Sequence, residues 1–277
     1  MLRRRLRTAR LGLPTILGLR PGGYFIPYRH AAEMAGRPDY PALAPRFAAA
    51  EPAIAALLAA IDGFSADLAR IDAGDGPARF DQDWFPRLDA AAAYALVRCR
   101  RPARIVEVGS GHSTRFLARA VADGGLATAI TCIDPNPRAR LDGLAVRHVP
   151  TLLSGADPAL LAALGPGDLL FVDSSHVAMP GSDVDRLVLD VLPRLAPGAL
   201  VHVHDVFLPD AYPEDWGWRG YNEQLLVGAL LQGGGFEIVF ASRYAATRMA
   251  DRLATGILAR LPLEPGAYET SLWLRKC

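Results

Sequence analysis

The spacing of apolar residues changes character along this chain, and each change marks a different kind of element. Between residues 41 and 70, Phe47, Ile54, Leu57, Leu58, Ile61 and Leu68 recur near helical intervals in an Ala- and Leu-rich background, which predicts helices. A second helical stretch follows Asp83-Trp84-Phe85-Pro86 and runs over 88–97, with Gly74, Gly76 and Pro77 supplying a turn between the two. After Pro102 the pattern becomes short β-branched runs separated by helical ones. Strands are expected over 104–108, 129–133, 146–149, 168–172, 199–203 and 236–240, and helices over 114–122 and 222–231. The clearest helix is expected over 184–195, where Val184, Leu187, Val188, Val191, Leu192 and Leu195 step by three and four, Ser182 stands ready to cap the start, and Pro197-Gly198 ends the run. Ser271-Leu272-Trp273-Leu274 offers a last strand after a long excursion. The alternation predicts an α/β fold whose mostly parallel sheet is covered on both faces.

Composition narrows the class without naming it. A chain of 277 residues with 51% hydrophobic and 21% charged residues buries a core easily, most simply as one generous domain with an appendage. The expected division is a helical and loop segment over 1–80 and a catalytic domain over 81–277. Lys and Arg number 30 against 29 Asp and Glu, so nothing global favours nucleic acid as a partner. The charge is uneven all the same: Arg3, Arg4, Arg5, Arg7, Arg10 and Arg20 precede the first acid, Glu33, and Leu2, Leu6, Leu11 and Leu13 lie among them. A solvated terminus is the commoner fate of such a segment, with contact to an anionic surface as the alternative. Cys99, Cys132 and Cys277 form no CxxC pair, which fits a reducing cytoplasm and neither a disulfide framework nor a cysteine zinc site. The apolar run over 11–19 is too short to span a bilayer and lacks a small-residue cleavage signal, so neither stable membrane insertion nor a secretory peptide is expected.

The first chemical signal lies where the 104–108 strand gives way to a helix, at Glu107-Val108-Gly109-Ser110-Gly111-His112-Ser113-Thr114. Glycine at such a bend lets the backbone pass close to a ligand, because a Cβ would fill that space. A dinucleotide site would read GxGxxG, but Thr114 stands at the third glycine, which weakens a pyrophosphate reading. The next strand ends in Ile133-Asp134-Pro135, and a carboxylate there can accept hydrogen bonds from both ribose hydroxyls.

Taken in order, Glu107-x-Gly109-x-Gly111-x-Ser113, Asp134 after the second strand, Asp173 after the fourth and the Leu195-Ala196-Pro197-Gly198 turn before the fifth resemble a class I S-adenosylmethionine-dependent methyltransferase. The resemblance covers roughly residues 80 to 275. It implies a Rossmann-like seven-stranded sheet with an antiparallel last strand and S-adenosyl-L-methionine over the carboxyl ends of the first two strands. It also implies that Glu107, Gly109 and Gly111 approach the methionine part, with Ser110, His112 and Ser113 around them, that Asp134 and Pro135 meet the ribose side, and that Asp173 lies near the methyl group. Gly-His-Ser-Thr is similar to the Gly-Tyr-Ser variant of the catechol-type O-methyltransferases.

The second signal is Val172-Asp173-Ser174-Ser175-His176, answered by His202-Val203-His204-Asp205 at the end of the fifth strand. If the two strands are neighbours, Asp173, His176, His204 and Asp205 surround one small volume. Methyl transfer needs an in-line approach and removal of a proton, and histidine is the natural base near neutral pH. Either His176 or His204 can serve, held in its tautomer by Asp173 or Asp205. The same four residues are competent ligands for a divalent metal ion, the alternative use, and the catechol-type enzymes resemble this arrangement in holding magnesium after strands four and five. Against that match, Val206 follows Asp205 where that group has asparagine. His202, inside a strand, reads as a hydrogen-bonded core histidine.

Between the fifth strand and the 222–231 helix, Tyr212-Pro213-Glu214-Asp215-Trp216-Gly217-Trp218-Arg219 is long and aromatic for a connector and suits a wall over a planar acceptor, with Phe25, Tyr28 and Trp84 as the opposite wall. The sequence therefore points to O-methylation of a small-molecule acceptor, with N-methylation second. A nicotinamide-dependent oxidoreductase, an Asp/His metal-dependent hydrolase and a noncatalytic partner that keeps the fold are the competing classes. The acceptor's identity is not encoded in these patterns, and a homo-oligomer is compatible with them.

Overall fold

The computed structural model describes residues 2–20, 22, 28–34 and 36–277. Helix α1 (Leu2–Ile16) opens the chain and leaves Leu2, Leu6, Leu13 and Ile16 exposed. Then come α2 (Ala44–Ala49), α3 (Glu51–Asp62), α4 (Ser65–Asp72) and α5 (Arg87–Arg100). Beyond them β1 (Arg104–Val108), α6 (His112–Asp123), β2 (Ala129–Ile133), β3 (Arg147–Val149), α7 (Ala159–Ala162), β4 (Leu169–Val172), α8 (Asp183–Arg186) and β5 (Leu200–Val203) alternate. The chain closes with α9 (Glu223–Gln232), β6 (Phe236–Ala241), α10 (Ser242–Arg248), α11 (Ala250–Leu253) and β7 (Leu272–Lys276).

The seven strands form one sheet in the order β3-β2-β1-β4-β5-β7-β6, with β7 antiparallel to both neighbours. β4 and β5 are buried throughout and β1 everywhere but Arg104, which is why, apart from Arg104, Glu107 and His202, their residues are apolar on both faces rather than alternating. Register then decides where function can sit. Val108 pairs with Ile133 and Val172, and Val172 pairs with Val203, so the carboxyl ends of β2, β1, β4 and β5 finish level on one rim. Whatever follows those four strands in sequence is brought side by side.

The predicted helical region over 41–70 is three short helices. Pro52, near the start of α3, supplies no N–H to continue the helix from α2, and Gly63 closes α3. Phe47, Ile54, Leu57, Leu58, Ile61 and Leu68 are nonetheless all buried, in the same core cluster as the sheet, so the 1–80 segment has no separate core. The predicted single helix over 184–195 also departs from expectation. Only Asp183–Arg186 is α-helical; Leu187–Val191 widens to a π-helix and Leu192–Arg194 tightens to a 3-10 turn. Pro193 is the physical cause: it offers no N–H to the carbonyl of Leu189 and its ring crowds that carbonyl, so the ladder changes register before it. The apolar face survives the change, with Val184, Leu187, Val188, Leu192 and Leu195 buried and Ser182 capping through its hydroxyl, which accepts from Asp185 N at 3.1 Å. Asp168, expected to begin a strand, caps the turn ahead of β4 instead, accepting from Arg104 N at 2.8 Å and Gly165 N at 2.9 Å. Among the described residues no single helix is long and apolar enough to cross a membrane.

Candidate active site

At the β1 end the chain bends through Gly109 and Gly111. Gly109 has φ +83°, and a Cβ there would lie 1.7 Å from the Asp173 carbonyl oxygen, so this position admits only glycine. The crowding comes from the chain itself: Gly109 lets β1 and β4 finish against each other, a different reason from the ligand approach expected from sequence. Gly111 is less constrained, with Arg138 Cβ 3.2 Å from a Cβ built on it. Its N–H donates to the Thr114 hydroxyl at 2.9 Å, which explains why Thr114 stands where a dinucleotide site carries glycine.

Asp134 closes the other side of this bend. One carboxylate oxygen accepts from Ser110 N at 2.7 Å and Ser110 Oγ at 3.1 Å, the other from Asn136 N at 2.8 Å, and His148 meets the Asp134 carbonyl at 2.8 Å. Gly109, Ser110, Gly111, His112, Ser113, Asp134, Pro135 and Asp173 all line one cleft. Glu107 does not: the structure places it, fully buried, beneath the bend, where Ser113 Oγ and Thr114 Oγ1 each donate to it at 2.6 Å and Cys132 Sγ at 3.3 Å. Burial pushes its pKa up to about 7 against those donors. Its role in this geometry is to anchor the start of α6 under the loop. Burial also lowers the His112 pKa to about 4, assisted by Arg115 and Arg79, so its ring faces the cleft neutral at pH 7.

At the β4 and β5 ends the four expected residues do converge. Asp173 Oδ1 lies 3.3 Å from His176 Nε2 and 3.5 Å from His204 Nδ1, while Asp205 reaches the same two nitrogens at 3.5 and 3.4 Å. Two of the four achieve this through backbone that side chains rarely adopt: His176 at φ +59° and Asp205 at φ +56°. That left-handed turn is what lets Asp205 join the group although it alternates with His204 along the strand.

Two further acids, missed from sequence, hold the histidines from behind. Glu223, at the start of α9, lies 3.0 Å from His176 Nδ1, and Asp89, inside α5, lies 3.3 Å from His204 Nε2. Asp89 is fully buried and also accepts from Thr270 N and Ser271 N, and Thr270 Oγ1 donates to Asp205 at 3.2 Å. One acid in the otherwise apolar run Ala90-Ala91-Ala92-Ala93-Tyr94-Ala95-Leu96-Val97 was the available signal, since a carboxylate is seldom buried without a partner. Desolvation would lower both histidine pKa values, but Asp173, Asp205 and Glu223 around His176, and Asp173, Asp205 and Asp89 around His204, raise both well above 6.5. Burial would raise Asp173 in turn, and the two histidines instead hold its carboxyl well below the usual range. His202 lies apart in the core, bonded to Ser271 Oγ at 2.9 Å and stacked on Phe171 with centroids 3.7 Å apart.

The cleft encloses about 590 Å³ and continues from the glycine bend past the acid–histidine group. Its far wall is Trp216, Arg219, Tyr221 and Tyr268, the 3-10 helix Glu214–Arg219 supplying the first two. Trp84 lines the near side under the Arg138 guanidinium, 3.9 Å from its ring centroid. Of the other expected wall residues, Tyr28 is exposed and outside the lining, and Phe25 lies outside the described residues. Among the described residues the lining begins at Asp83, and no described residue of the 1–80 segment is part of it.

As a metal site the group fits poorly. Each imidazole nitrogen already faces a carboxylate, and among the described residues no three His, Cys, Asp or Glu side chains converge as metal ligands would.

Residues 106–206 match the family model described as a methyltransferase domain. No curated protein matches the chain. Among solved structures it is similar to the SAH-bound methyltransferase PaMTH1 of Podospora anserina, at 16% identity over 92% of this chain and 99% of that one, with a TM-score of 0.42. It is similar also to the plantazolicin methyltransferase BpumL in complex with SAH, at 14% identity over 78% and 94%, TM-score 0.45, and to the [4+2]-cyclase SpnF, at 21% over 76% and 92%, TM-score 0.39. Likenesses this distant say nothing about the reaction, as the cyclase beside two methyltransferases illustrates. The family match is of another kind, because its span opens inside β1 and closes just past Asp205, taking in the glycine bend and the acid–histidine group alike. Across that span, within a seven-stranded sheet whose last strand is antiparallel, the chain is similar to a methyltransferase domain.

Proposed function

We propose that this domain transfers the methyl group of S-adenosyl-L-methionine to a hydroxyl oxygen of a small-molecule acceptor. One observation carries the reading: Asp173 both packs against the Gly109 bend and touches the two cluster histidines. Gly109, Ser110 and Asp134 would hold S-adenosyl-L-methionine at the bend, and Asp173 joins that end of the cleft to the acid–histidine group. When bound, S-adenosyl-L-methionine would supply the methyl group, an O–CH3 bond forming as the S–CH3 bond breaks and its electron pair returns to sulfur as a thioether. The acceptor's proton passes to the cluster, where His176 or His204 takes it once neutral and the flanking carboxylates hold the resulting imidazolium. Because both histidines are raised well above 6.5, turnover rises with pH along a limb displaced above histidine's ordinary range.

Calorimetry with S-adenosylhomocysteine and with NAD tests the cofactor half. Binding of the first and silence from the second is the expected pattern, and the reverse defeats the reading. Asp173→Asn, His176→Ala and His204→Ala are each expected to lower turnover by about 10²- to 10⁴-fold while S-adenosylhomocysteine affinity changes far less. Unchanged turnover in all three would make the cluster structural. Chelation should leave the rate within about twofold; loss with recovery on added magnesium would bring the cation back.

A further inference from the structure

Arg219 stands apart from the other partly buried arginines, since Arg115, which also lacks a carboxylate partner, donates to the Arg140 and Pro77 carbonyls. Arg87 is matched to Glu269 at 2.8 Å, Arg98 to Asp67 at 2.9 Å and Arg119 to Asp123 at 2.8 Å, each with its charge answered within the protein. Arg219 has no carboxylate within ion-pair distance among the described residues. Its guanidinium carbon lies 4.0 Å from the Trp216 ring centroid and 5.3 Å from those of Trp218 and Tyr221. Its Nη1 donates to Tyr221 Oη at 3.1 Å, and its Nε is buried without a partner. A guanidinium drawn over aromatic faces loses water without gaining a counter-charge, and a buried donor left unmet is destabilising. Such a group is poised for an anion that completes it, and its planar fork fits a carboxylate through two parallel hydrogen bonds.

Its place in the cleft gives the direction of the ligand. Tyr221 is the link: its ring centroid is 4.6 Å from that of His176, and its hydroxyl holds Arg219. The guanidinium therefore lies about one aromatic ring beyond the acid–histidine group. Asp173, Asp205 and Glu223 at that group repel an anion, so an acidic acceptor enters with its hydroxyl toward Asp173 and its charge toward Arg219. Trp216 and Tyr268, 5.7 Å apart at their centroids, line the path for a flat body between the two ends. Resting on the methyltransferase reading above, we infer that the acceptor is a small planar hydroxy acid whose carboxylate is bound by Arg219.

Benzoate and its neutral isostere benzamide serve as probes, titrated by tryptophan fluorescence and ligand-observed NMR against the full chain saturated with S-adenosylhomocysteine. The wild type should bind benzoate at least about tenfold more tightly than benzamide, Arg219→Gln should abolish that preference, and Arg219→Lys should keep part of it. Equal binding of the two probes, no saturable benzoate binding, or a preference undiminished in Arg219→Gln overturns the inference. S-adenosylhomocysteine affinity, measured alongside, should stay within about twofold across the three proteins. Its absence from the wild type sinks the methyltransferase reading itself, whereas its presence with no benzoate preference sinks only the acidic acceptor.

Discussion

The two ends of the cleft are built in opposite ways. The end at β1 and β2 is assembled from residues close in sequence: Gly109 to Thr114 form one bend, and Asp134 reaches back across a single strand to bond Ser110. The end at β4 and β5 draws Asp89 to His204 across 115 positions and Glu223 to His176 across 47, with Thr270 joining from the start of β7. A site made by one bend tolerates little change in backbone shape, whereas a site made of distant side chains depends on charge balance inside a finished core. That contrast predicts different failures when each is cut.

The largest effect should come from Gly109→Ala. A methyl group 1.7 Å from the Asp173 carbonyl at φ +83° has nowhere to go, so the bend must open and part β1 from β4. Loss of S-adenosylhomocysteine binding and a fall of at least about 3 kcal/mol in unfolding free energy are expected. Gly111→Ala, whose nearest neighbour is at 3.2 Å, should cost about 1 kcal/mol and weaken cofactor binding without abolishing it. Equal damage from the two would mean that the bend moves as a unit and that Gly109 holds no special place.

At the other end, Asp89→Asn should act through His204 rather than through the backbone, since an amide oxygen still accepts from Thr270 N and Ser271 N. Removing the charge lowers the His204 pKa toward 6.5, so the rising limb of kcat/KM against pH moves to lower pH and turnover falls by about tenfold at its plateau. A profile that keeps its position while the protein loses stability would make Asp89 a structural residue alone.

The last comparison, within the β1 end, is read by titration. Glu107 is raised from 4.5 to about 7 in the fold, so its contribution to stability is fully present below 4.5 and is lost as pH rises through 7. At 1.36 kcal/mol per unit this is about 3 kcal/mol. His112, lowered to about 4, runs the other way: its contribution is present above 6.5 and fades as pH falls through 4. The two oppose each other in the wild type. Comparing denaturant unfolding of wild type and Glu107→Gln at pH 4.5 and pH 8 isolates the first, and the wild type's advantage should shrink by about that amount as pH rises. An advantage that stays constant with pH would show that Glu107 is ionised throughout.

Much of the sheet was legible because burial on both faces leaves a direct trace in sequence. Leu169-Leu170-Phe171-Val172 and Leu200-Val201-His202-Val203 read as buried strands and are buried strands. The convergence of Asp173, His176, His204 and Asp205 was likewise readable, since adjacent parallel strands align their ends. The break at Pro193 was readable in principle and overridden by the regular apolar spacing around it, which survives a change of helix type. The aromatic wall was half legible: Trp216 and Trp84 line the cleft as expected, whereas Tyr268 and the unmet charge of Arg219 gave no sign, because neither depends on any local pattern.

What the amino-acid order alone determined is the alternation of strands and helices, the glycine bend after the first strand and the acids that end the second, fourth and fifth. These follow from nearest-neighbour sterics and from the periods of 2.0 and 3.6 that burial imposes. Only the folded chain decided which acids stand behind the histidines, that Glu107 lies beneath the loop instead of in the cleft, and that Arg219 is drawn over aromatic rings with a buried Nε left unmet. Those outcomes depend on distances set in the finished core, between residues up to 115 positions apart, and a low-dielectric interior makes such distances, rather than residue type, the measure of each charge.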